Sequence, residues 1–322
     1  MSIQPLDFEK GCGFFTTKPA KVGHFIINDY ALNYEIHGTG KTKVLCVMGL
    51  MSSMAGWKEV LNYFLKGYDF KKESSDYQFL VFDNRGVGHS TNGSFGRYTT
   101  SGMAKDAAEL LRHVGWTDDR SVHLCGISMG GMISLELASL IPKRFKSLNL
   151  LVTCASHRPT PGYFLHSELS LLKPTKNMDD KINVLMSLLF SDEDWLNAND
   201  ARYPEYKTNR ERVFATLKYR MQRTRAPGIY TFLGQGLAVK THYVSKERLN
   251  AIGKEIPDCV AIAGTKDVMI DPACTKELGD HLNCKTVFLE DKGHVIISEA
   301  DLETCKELEE NFTNAEKRWA KL

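Results

Sequence analysis

The sequence lacks long apolar runs, paired cysteines and an excess of charge of either sign. It contains no stretch of about 18 or more consecutive apolar residues, so we expect no transmembrane helix. Its N-terminal residues lack the apolar core of a secretory signal, so we expect no such signal. The net charge is +2 and no basic stripe is present, so nucleic acid is not expected as a partner.

The eight cysteines are scattered and form no C-x-x-C pair, which argues against zinc and dithiol chemistry. Cys46, Cys125 and Cys259 fall in strands that we predict to be buried, where a free cysteine behaves as a small apolar residue. This usage is typical of a reducing intracellular compartment. We therefore expect no metal and no cofactor.

Six short apolar runs alternate with helical patterns along the chain. They lie at 44–48, 79–82, 122–125, 148–153, 259–263 and 286–289. Two further runs, 24–28 and 31–37, flank the turn dipeptide Asn28-Asp29. Apolar strands that alternate with helices are typical of a parallel sheet covered on both faces. We therefore predict an α/β fold with a mostly parallel sheet of about eight strands and an N-terminal antiparallel hairpin.

The alternation stops between residues 158 and 246, where only helical patterns are found. Helices are predicted at 181–190 and 208–223, in a segment rich in large aromatic side chains. A helical insertion in an α/β sheet is a candidate lid, and the alternative is that it only extends the core. We predict a core domain formed by 1–157 and 247–322, with a helical cap at 158–246. A final helix is predicted from Glu299, with Ser298 as its cap.

Ser128 lies in a G-x-S-x-G sequence, Gly126-Ile127-Ser128-Met129-Gly130, between an apolar run and a helical pattern. Glycines on both sides permit a sharp strand-to-helix turn that exposes the hydroxyl. The unpaired N–H groups at the start of the helix favour developing negative charge. The pattern is common by chance, so Ser128 is a candidate nucleophile only if the chain also supplies a base and an acid.

A serine nucleophile needs an imidazole to take its proton and a carboxylate to hold that imidazole. Asp267 follows the run 259–263, at the strand end where ligands bind in α/β sheets. Asp271 is the alternative acid, but its position before Pro272 is more typical of a helix cap. His294 follows the run 286–289 and a glycine. We predict Ser128, Asp267 and His294 as nucleophile, acid and base.

Acyl transfer also needs N–H groups that bind the oxyanion of the intermediate. One is expected from Met129, the residue after the nucleophile. The other is expected from the loop after 44–48, with Leu50 as the donor and Met51 as the fallback.

Five motifs occur in the order found in the α/β-hydrolase family, which the chain resembles over roughly residues 24–315. They are Met48-Gly49-Leu50 at the oxyanion loop, Asp83-Asn84-Arg85-Gly86-Val87-Gly88-His89-Ser90 at a structural turn, Gly126-Ile127-Ser128-Met129-Gly130-Gly131 at the nucleophile, and Gly264-Thr265-Lys266-Asp267 and Lys292-Gly293-His294 at the acid and base. The resemblance implies an α/β-hydrolase fold with a catalytic triad. A serine instead of an aspartate at the nucleophile position favours acyl transfer.

Within that family the chain is similar to esterases resembling aclacinomycin methylesterase, partly through Gly234-Gln235-Gly236 and His242. Met48 departs from the family pattern, which usually has histidine before the glycine. The candidates for the substrate pocket are Met51, Met132, Trp195 and Phe232. Methionines adapt to acyl chains, but plain core packing is the alternative for them.

The motifs together predict a metal-free serine hydrolase that cleaves a carboxylic ester or thioester with a hydrophobic part. An acyltransferase would use the same triad with an alcohol acceptor. A slow-turnover ligand receptor on the same fold is a further alternative, because a triad alone does not prove turnover. The identity of the substrate and its acyl length are left open by the sequence.

The last three residues, Ala320, Lys321 and Leu322, resemble the C-terminal Ser-Lys-Leu address of peroxisomal proteins. Lys317 and Arg318 precede them and add the basic approach typical of such signals. A peroxisomal import receptor is therefore a candidate partner, with a peroxisomal or glycosomal matrix location. The alternative is coincidence and a cytoplasmic protein.

Overall fold

A single mixed sheet of eight strands forms the centre of the molecule. The computed structural model describes residues 14–67, 71, 75–93, 98–156, 177–224 and 228–321. The strands are β1 (Pro19–Ile27), β2 (Tyr30–His37), β3 (Thr42–Val47), β4 (Tyr77–Phe82), β5 (Val122–Ile127), β6 (Phe145–Leu151), β7 (Asp258–Gly264) and β8 (Lys285–Leu289). Their order is β1-β2-β4-β3-β5-β6-β7-β8.

The strand directions agree with the prediction of a mostly parallel sheet and an antiparallel hairpin. β2 pairs antiparallel with β1 and with β4, and the other neighbouring strands are parallel. Asn28, at the hairpin turn, has a φ of 55°, a conformation that asparagine tolerates better than most residues. Every residue of β5 and β7 is buried, as expected for strands that are covered on both faces.

Helices cover both faces of the sheet. One face carries α2 (Thr100–His113), α3 (Met129–Leu140), α8 (Lys246–Glu255) and α9 (Ala273–Leu282). The other carries α1 (Lys58–Lys66), α10 (Ile296–Glu299) and α11 (Asp301–Trp319). Each group buries an apolar stripe against the strands, and this burial is the main source of stability in such a layered fold.

The described part of the insertion between β6 and β7 is helical. It contains α4 (Met178–Leu189), α5 (Glu193–Asn197), α6 (Asn209–Arg223) and α7 (Ile229–Lys240). The side chains of Asn177, Asp192 and Thr208 each accept an N–H at the start of one of these helices, which fixes where it begins. The helices predicted at 181–190 and 208–223 are found as α4 and α6, whereas α5 and α7 were not predicted.

Buried ion pairs tie this insertion to the core. Glu59 on α1 accepts the hydroxyl of Tyr203 at 2.6 Å and the guanidinium of Arg212 at 3.3 Å. Arg202 bonds Asp301, the first residue of α11, at 2.6 Å. Removing one member would leave its partner charge buried without compensation, which typically costs about 3–5 kcal/mol. The insertion is therefore held to α1 and to α11.

The C-terminal helix does not begin where the sequence pattern indicates. Ser298 is not a cap, because it lies inside the short helix α10. Ile296 and Ile297 are both buried and add a helical turn before the predicted start. The chain then bends at Ala300, whose φ is −141°, and α11 begins at Asp301.

Within the residues that the structure describes, no helix is long and apolar enough to cross a membrane.

Candidate active site

Ser128 lies at the turn between β5 and α3, in a strained backbone conformation. Its φ is 56° and its ψ is −126°. Residues in such sparsely populated regions cost about 1–3 kcal/mol and persist only where the surroundings hold them. Ser128 accepts at its carbonyl oxygen from the hydroxyl of Thr153 at 2.7 Å, and its N–H donates to the carbonyl of Leu151 at 2.9 Å. The backbone of the serine is therefore fixed from β6.

The side chain of Ser128, in contrast, does not take part in these backbone contacts. A serine at a helix start usually caps the helix, but Ser128 makes no such bond. Its hydroxyl has no hydrogen-bond partner among the described residues. It is partly exposed at the carboxyl edge of the sheet. A hydroxyl in this state can rotate towards an incoming carbonyl or towards a base, and catalytic hydrogen bonds often form only once substrate is bound.

Gly130 lets the start of α3 approach β3 very closely. A Cβ on this residue would lie 2.0 Å from the carbonyl oxygen of Val47 and 2.8 Å from that of Met48. No side chain fits this space, so the second glycine of the motif is required by packing. The result is that the start of α3 lies against the loop that follows β3.

That loop passes directly beside the serine. A Cβ on Gly49 would lie 3.1 Å from Cβ of Ser128 and 3.5 Å from its Oγ. The N–H groups of Leu50 and Met129 donate to no acceptor within the ranges that the structure describes. The N–H of Met51, the fallback donor, is already taken, because it donates to Oε1 of Gln235 at 2.9 Å. Of the predicted donors, Leu50 and Met129 thus have N–H groups that are not otherwise engaged.

Asp267 and His294 follow neighbouring strands and bond each other. Nδ1 of His294 lies 2.7 Å from Oδ2 of Asp267. Asp267 is fully buried, and its Oδ1 accepts the N–H groups of Met269 at 2.7 Å and Ile270 at 3.1 Å. The carboxylate is therefore held by its own loop while it holds the imidazole. The alternative acid, Asp271, instead accepts the N–H of Ala273, the first residue of α9, at 2.9 Å. The N-cap of this helix is Pro272 and not Asp271.

The loop that carries His294 is braced by a buried carboxylate that the sequence did not reveal. Glu299 accepts the N–H of Ser191 at 2.7 Å and that of Asp192 at 3.2 Å, and its second oxygen accepts the N–H of Gly293. Burial raises the pKa of Glu299, against the effect of these bonds. The N–H of His294 itself donates to the carbonyl of Leu189 at 3.0 Å. The candidate base is thus anchored to the end of α4, in the insertion.

These strands and loops match a known family. A family model described as the alpha/beta hydrolase fold matches residues 42–301. The chain belongs to the α/β hydrolase fold family. The predicted fold and family are therefore confirmed.

The curated relatives of this chain include a protein from Azorhizobium caulinodans assigned as carbamate hydrolase RutD. It is 30% identical over 123 residues, 38% of this chain and 41% of the relative. The match spans about two fifths of the length of this relative and of the RutD protein of Variovorax paradoxus. Monoacylglycerol lipase abhd6-A of Xenopus laevis is 23% identical over 282 residues, 86% of this chain and 78% of the relative.

Two solved structures share the fold over most of their length. A protein from Acinetobacter baumannii AYE assigned as a lipase superimposes with a TM-score of 0.71, at 21% identity over 92% of both chains. The enol-lactonase of Burkholderia xenovorans LB400 gives a TM-score of 0.67, at 19% identity over 90% of this chain and 100% of the other. At these identities the likeness concerns the fold.

The structural turn at residues 83–90 supports the candidate oxyanion loop at residues 48–54. Asn84 donates its amide to the carbonyl of Met48 at 2.8 Å, and Asp83 accepts the N–H of Met54 at 2.8 Å. Both side chains are buried, and burial raises the pKa of Asp83. The turn therefore binds the two ends of the loop, in agreement with the structural role that the resemblance implies.

The four candidates for the substrate pocket lie in different surroundings. Met132 is fully buried in the core between α3 and the sheet, and Met51 is half-buried in the oxyanion loop. Trp195 stacks on Phe190, with ring centroids 5.9 Å apart, in a small apolar cluster of the insertion. Phe232 is half-buried on α7. Met51 is thus two residues after Gly49, which packs against Ser128, and the other three lie on separate elements.

A polar cleft of about 210 Å³ lies elsewhere, at the amino ends of β7 and β8. It is lined partly by Cys259 and Cys284. Burial raises the pKa of Cys284 to about 12 and that of Cys259 well above its usual value, so neither thiol is an effective nucleophile. Across the described ranges, no group of three or more His, Cys, Asp and Glu side chains could hold a metal ion.

Proposed function

We propose that this protein is a serine hydrolase that cleaves a carboxylic ester or thioester through an acyl-enzyme on Ser128. The observation that carries the proposal is the 2.7 Å bond between His294 and the buried Asp267, at the sheet edge where the hydroxyl of Ser128 has no partner among the described residues. Family membership supports hydrolysis as the reaction class. The triad supplies the chemistry without an added group.

In the proposed reaction, the proton of the serine hydroxyl moves to His294 and then to the leaving group. An ionised carboxylate only accepts hydrogen bonds, so the proton shared with Asp267 belongs to Nδ1 of His294. Nε2 then has the free lone pair that a general base requires. As Ser128 Oγ attacks the acyl carbon, Nε2 takes its proton and later gives it to the leaving alcohol or thiol. Water then repeats the sequence and releases the acid.

The negative charge that develops on the carbonyl oxygen needs donors that are already oriented. The N–H groups of Leu50 and Met129 flank Ser128 and have no other acceptor among the described residues. Removing one such donor from an enzyme of this type typically costs about 100- to 1000-fold in kcat. Because both donors are backbone groups, the replacement of histidine by Met48 does not remove either of them.

The proposed substrate has a hydrophobic acyl or alcohol part, and the helical cap at 158–246 is proposed to cover it. Met51 in the oxyanion loop, with Phe232 and Trp195 on the cap, supplies apolar surface for this part. Met132 is proposed for the base of the pocket. The relatives assigned as a lipase and as a carbamate hydrolase extend the candidate substrates to acylglycerols and carbamates.

The first experiment is a panel of fluorogenic esters and one carbamate, with graded acyl length, assayed with the wild type and with Ser128→Ala. We expect turnover by the wild type that rises with acyl length to an optimum, and none by the variant. Added alcohol tests the acyltransferase alternative, since transfer would divert the acyl group to a new ester. Tight binding of an ester without turnover would instead indicate a receptor.

We also propose that Ala320-Lys321-Leu322 is an import address read by a peroxisomal receptor. Ala320 and Lys321 are exposed beyond the end of α11. Deleting the three residues from a tagged full-length chain should disperse a punctate signal, while Lys317→Ala alone should leave it punctate. A diffuse signal for the intact chain would reject the address and favour the cytoplasm.

A further inference from the structure

Gln235 is a fully buried amide that joins the insertion to the oxyanion loop. It lies on α7 and has no exposed surface. Its Oε1 accepts the N–H of Met51 at 2.9 Å, and its Nε2 donates to the carbonyl of Arg85 at 3.3 Å. The two backbone groups have opposite polarity, so they fix which way the amide points.

The residue that Gln235 holds is itself strained. Met51 has a φ of 55°, in the left-handed region that costs a residue with a side chain about 1–2 kcal/mol. Such a conformation persists only where neighbouring groups impose it. The bond from Gln235 acts on the N–H of this residue, and therefore on the peptide plane that Met51 shares with Leu50.

Gln235 also completes a set of supports that spans the whole loop. Asn84 bonds the carbonyl of Met48 before the loop, and Asp83 bonds the N–H of Met54 after it. Gln235 bonds the middle, between these two points, and it reaches the loop from the insertion. Arg220, also in the insertion, donates to the carbonyl of Ala55 at 2.7 Å, just after the loop. Without it the middle of the loop would keep only the bonds that Ser52 makes within the loop, from its N–H to the carbonyl of Gly49 at 3.4 Å and from its hydroxyl to that of Leu50 at 3.2 Å.

We propose that Gln235 is a positioning residue for the oxyanion site. It accepts a hydrogen bond from the N–H of Met51 and holds Met51 in the left-handed conformation. In this conformation of the loop, the N–H of Leu50 is left to bind the oxyanion. This inference rests on the proposed function. It adds that the insertion does more than cover the substrate, because one of its helices sets the geometry of the reacting site.

Two substitutions test this role against a merely structural one. Gln235→Met keeps the volume and removes both bonds. Gln235→Glu keeps both bonds when its carboxyl is protonated, since a protonated carboxyl has one acceptor and one donor. When ionised it repels the carbonyl of Arg85 and the oxyanion. The guanidinium of Arg85 is itself bound to Asp106 at 2.7 Å and to the hydroxyl of Tyr30 at 3.0 Å.

The matched control is Thr231→Val, one turn earlier on the buried face of α7. Thr231 bonds Tyr98 at 3.4 Å and packs on Gly86, so the control loosens the same helix without touching the loop. The measurements are kcat and KM on the best ester, the Ki of a trifluoromethyl ketone that forms an oxyanion on the serine, and the melting temperature.

We expect Gln235→Met to lower kcat by about 10- to 100-fold and to raise the Ki of the ketone by a similar factor. The KM should stay within about threefold of the wild-type value. Thr231→Val should lose about as much melting temperature as Gln235→Met does. Its kcat should stay within about twofold of the wild-type value. The kcat of Gln235→Glu, divided by that of the wild type at the same pH, should fall at least about tenfold between pH 5 and pH 8. This division removes the titration of the base that both proteins share.

If Gln235→Met and Thr231→Val had the same kcat and the same affinity for the ketone, the positioning role would be overturned. The proposed function would not be affected by that result. A Gln235→Glu variant whose carboxyl ionises between pH 5 and pH 8 while its kcat ratio stays constant would also overturn the positioning role. A wild type that neither hydrolyses the ester panel nor reacts with a fluorophosphonate would instead reject the proposed function, and the positioning role with it.

Discussion

His294 and Asp267 share a hydrogen bond of 2.7 Å between the ends of two neighbouring strands. Two backbone N–H groups hold the other oxygen of the carboxylate, so the aspartate cannot turn away from the imidazole. A buried charged pair is in general a weak source of stability, because the cost of removing its charges from water offsets their attraction. We therefore expect its loss to affect turnover far more than folding.

Asp267→Asn tests this expectation. An asparagine of the same shape would offer its amide N–H or its oxygen to Nδ1 and would favour the wrong tautomer of His294. We expect kcat to fall by about 10³- to 10⁴-fold, with a change in unfolding free energy of at most about 2 kcal/mol. Asp271→Asn is the control, because it changes the same loop without touching His294. Equal effects of the two substitutions on kcat would contradict the assignment of Asp267.

Glu299 should matter to both stability and turnover. In Glu299→Gln, an amide N–H would face one of the three backbone N–H groups that the carboxylate now accepts. We expect the free energy of unfolding to fall by about 1–3 kcal/mol, and kcat to fall because the loop of His294 loses its anchor. Urea unfolding and ester turnover measure the two effects. Glu303→Gln, at an exposed site on α11, should change neither.

Glu316 should make stability depend on pH in the acid range. It accepts from His123 at 3.0 Å and from Lys146 at 2.6 Å, and the bond to His123 is the main reason that its pKa is lowered to about 2. A carboxyl whose folded pKa is depressed stabilises the fold above its unfolded pKa, near 4.5, and loses this contribution as the pH falls towards 2.

We therefore expect the wild type to lose more unfolding free energy between pH 4.5 and pH 2 than Glu316→Gln does. Glu310→Gln is the control, because Glu310 is 58% exposed in a surface pair with Lys285 and should have little effect. Urea unfolding at a series of pH values measures the difference. Parallel stability curves for the wild type and Glu316→Gln would show that the contact between Glu316 and His123 does not bear on acid stability.

The sheet was predictable because its strands carry their own signal. The strands β3 and β5 carry apolar runs, so both of their faces must be buried. A sheet covered on both faces therefore follows from the sequence. The candidate acid and base were also predictable, because Asp267 and His294 each follow such a run directly. Their bond in the structure agrees with that placement, whereas their role in catalysis stays a prediction.

The supports of the site were not predictable, because they depend on residues far apart in the chain. Gln235 was noted only for its place between two glycines, and its bond to Met51 spans 184 positions. Glu299 was assigned to the first turn of the last helix, where an acidic residue is ordinary. Its burial against Ser191 and Gly293 follows from how the insertion packs, and no local pattern encodes that.

The most direct test of the account is the reaction of Ser128 with a fluorophosphonate probe. We expect one covalent adduct per chain in the wild type, located on Ser128 by mass spectrometry and formed in parallel with the loss of ester hydrolysis. Ser128→Ala should form no adduct and should hydrolyse no ester of the panel, while keeping the melting temperature within a few degrees. An adduct on another residue, or hydrolysis that survives in Ser128→Ala, would contradict the central claim.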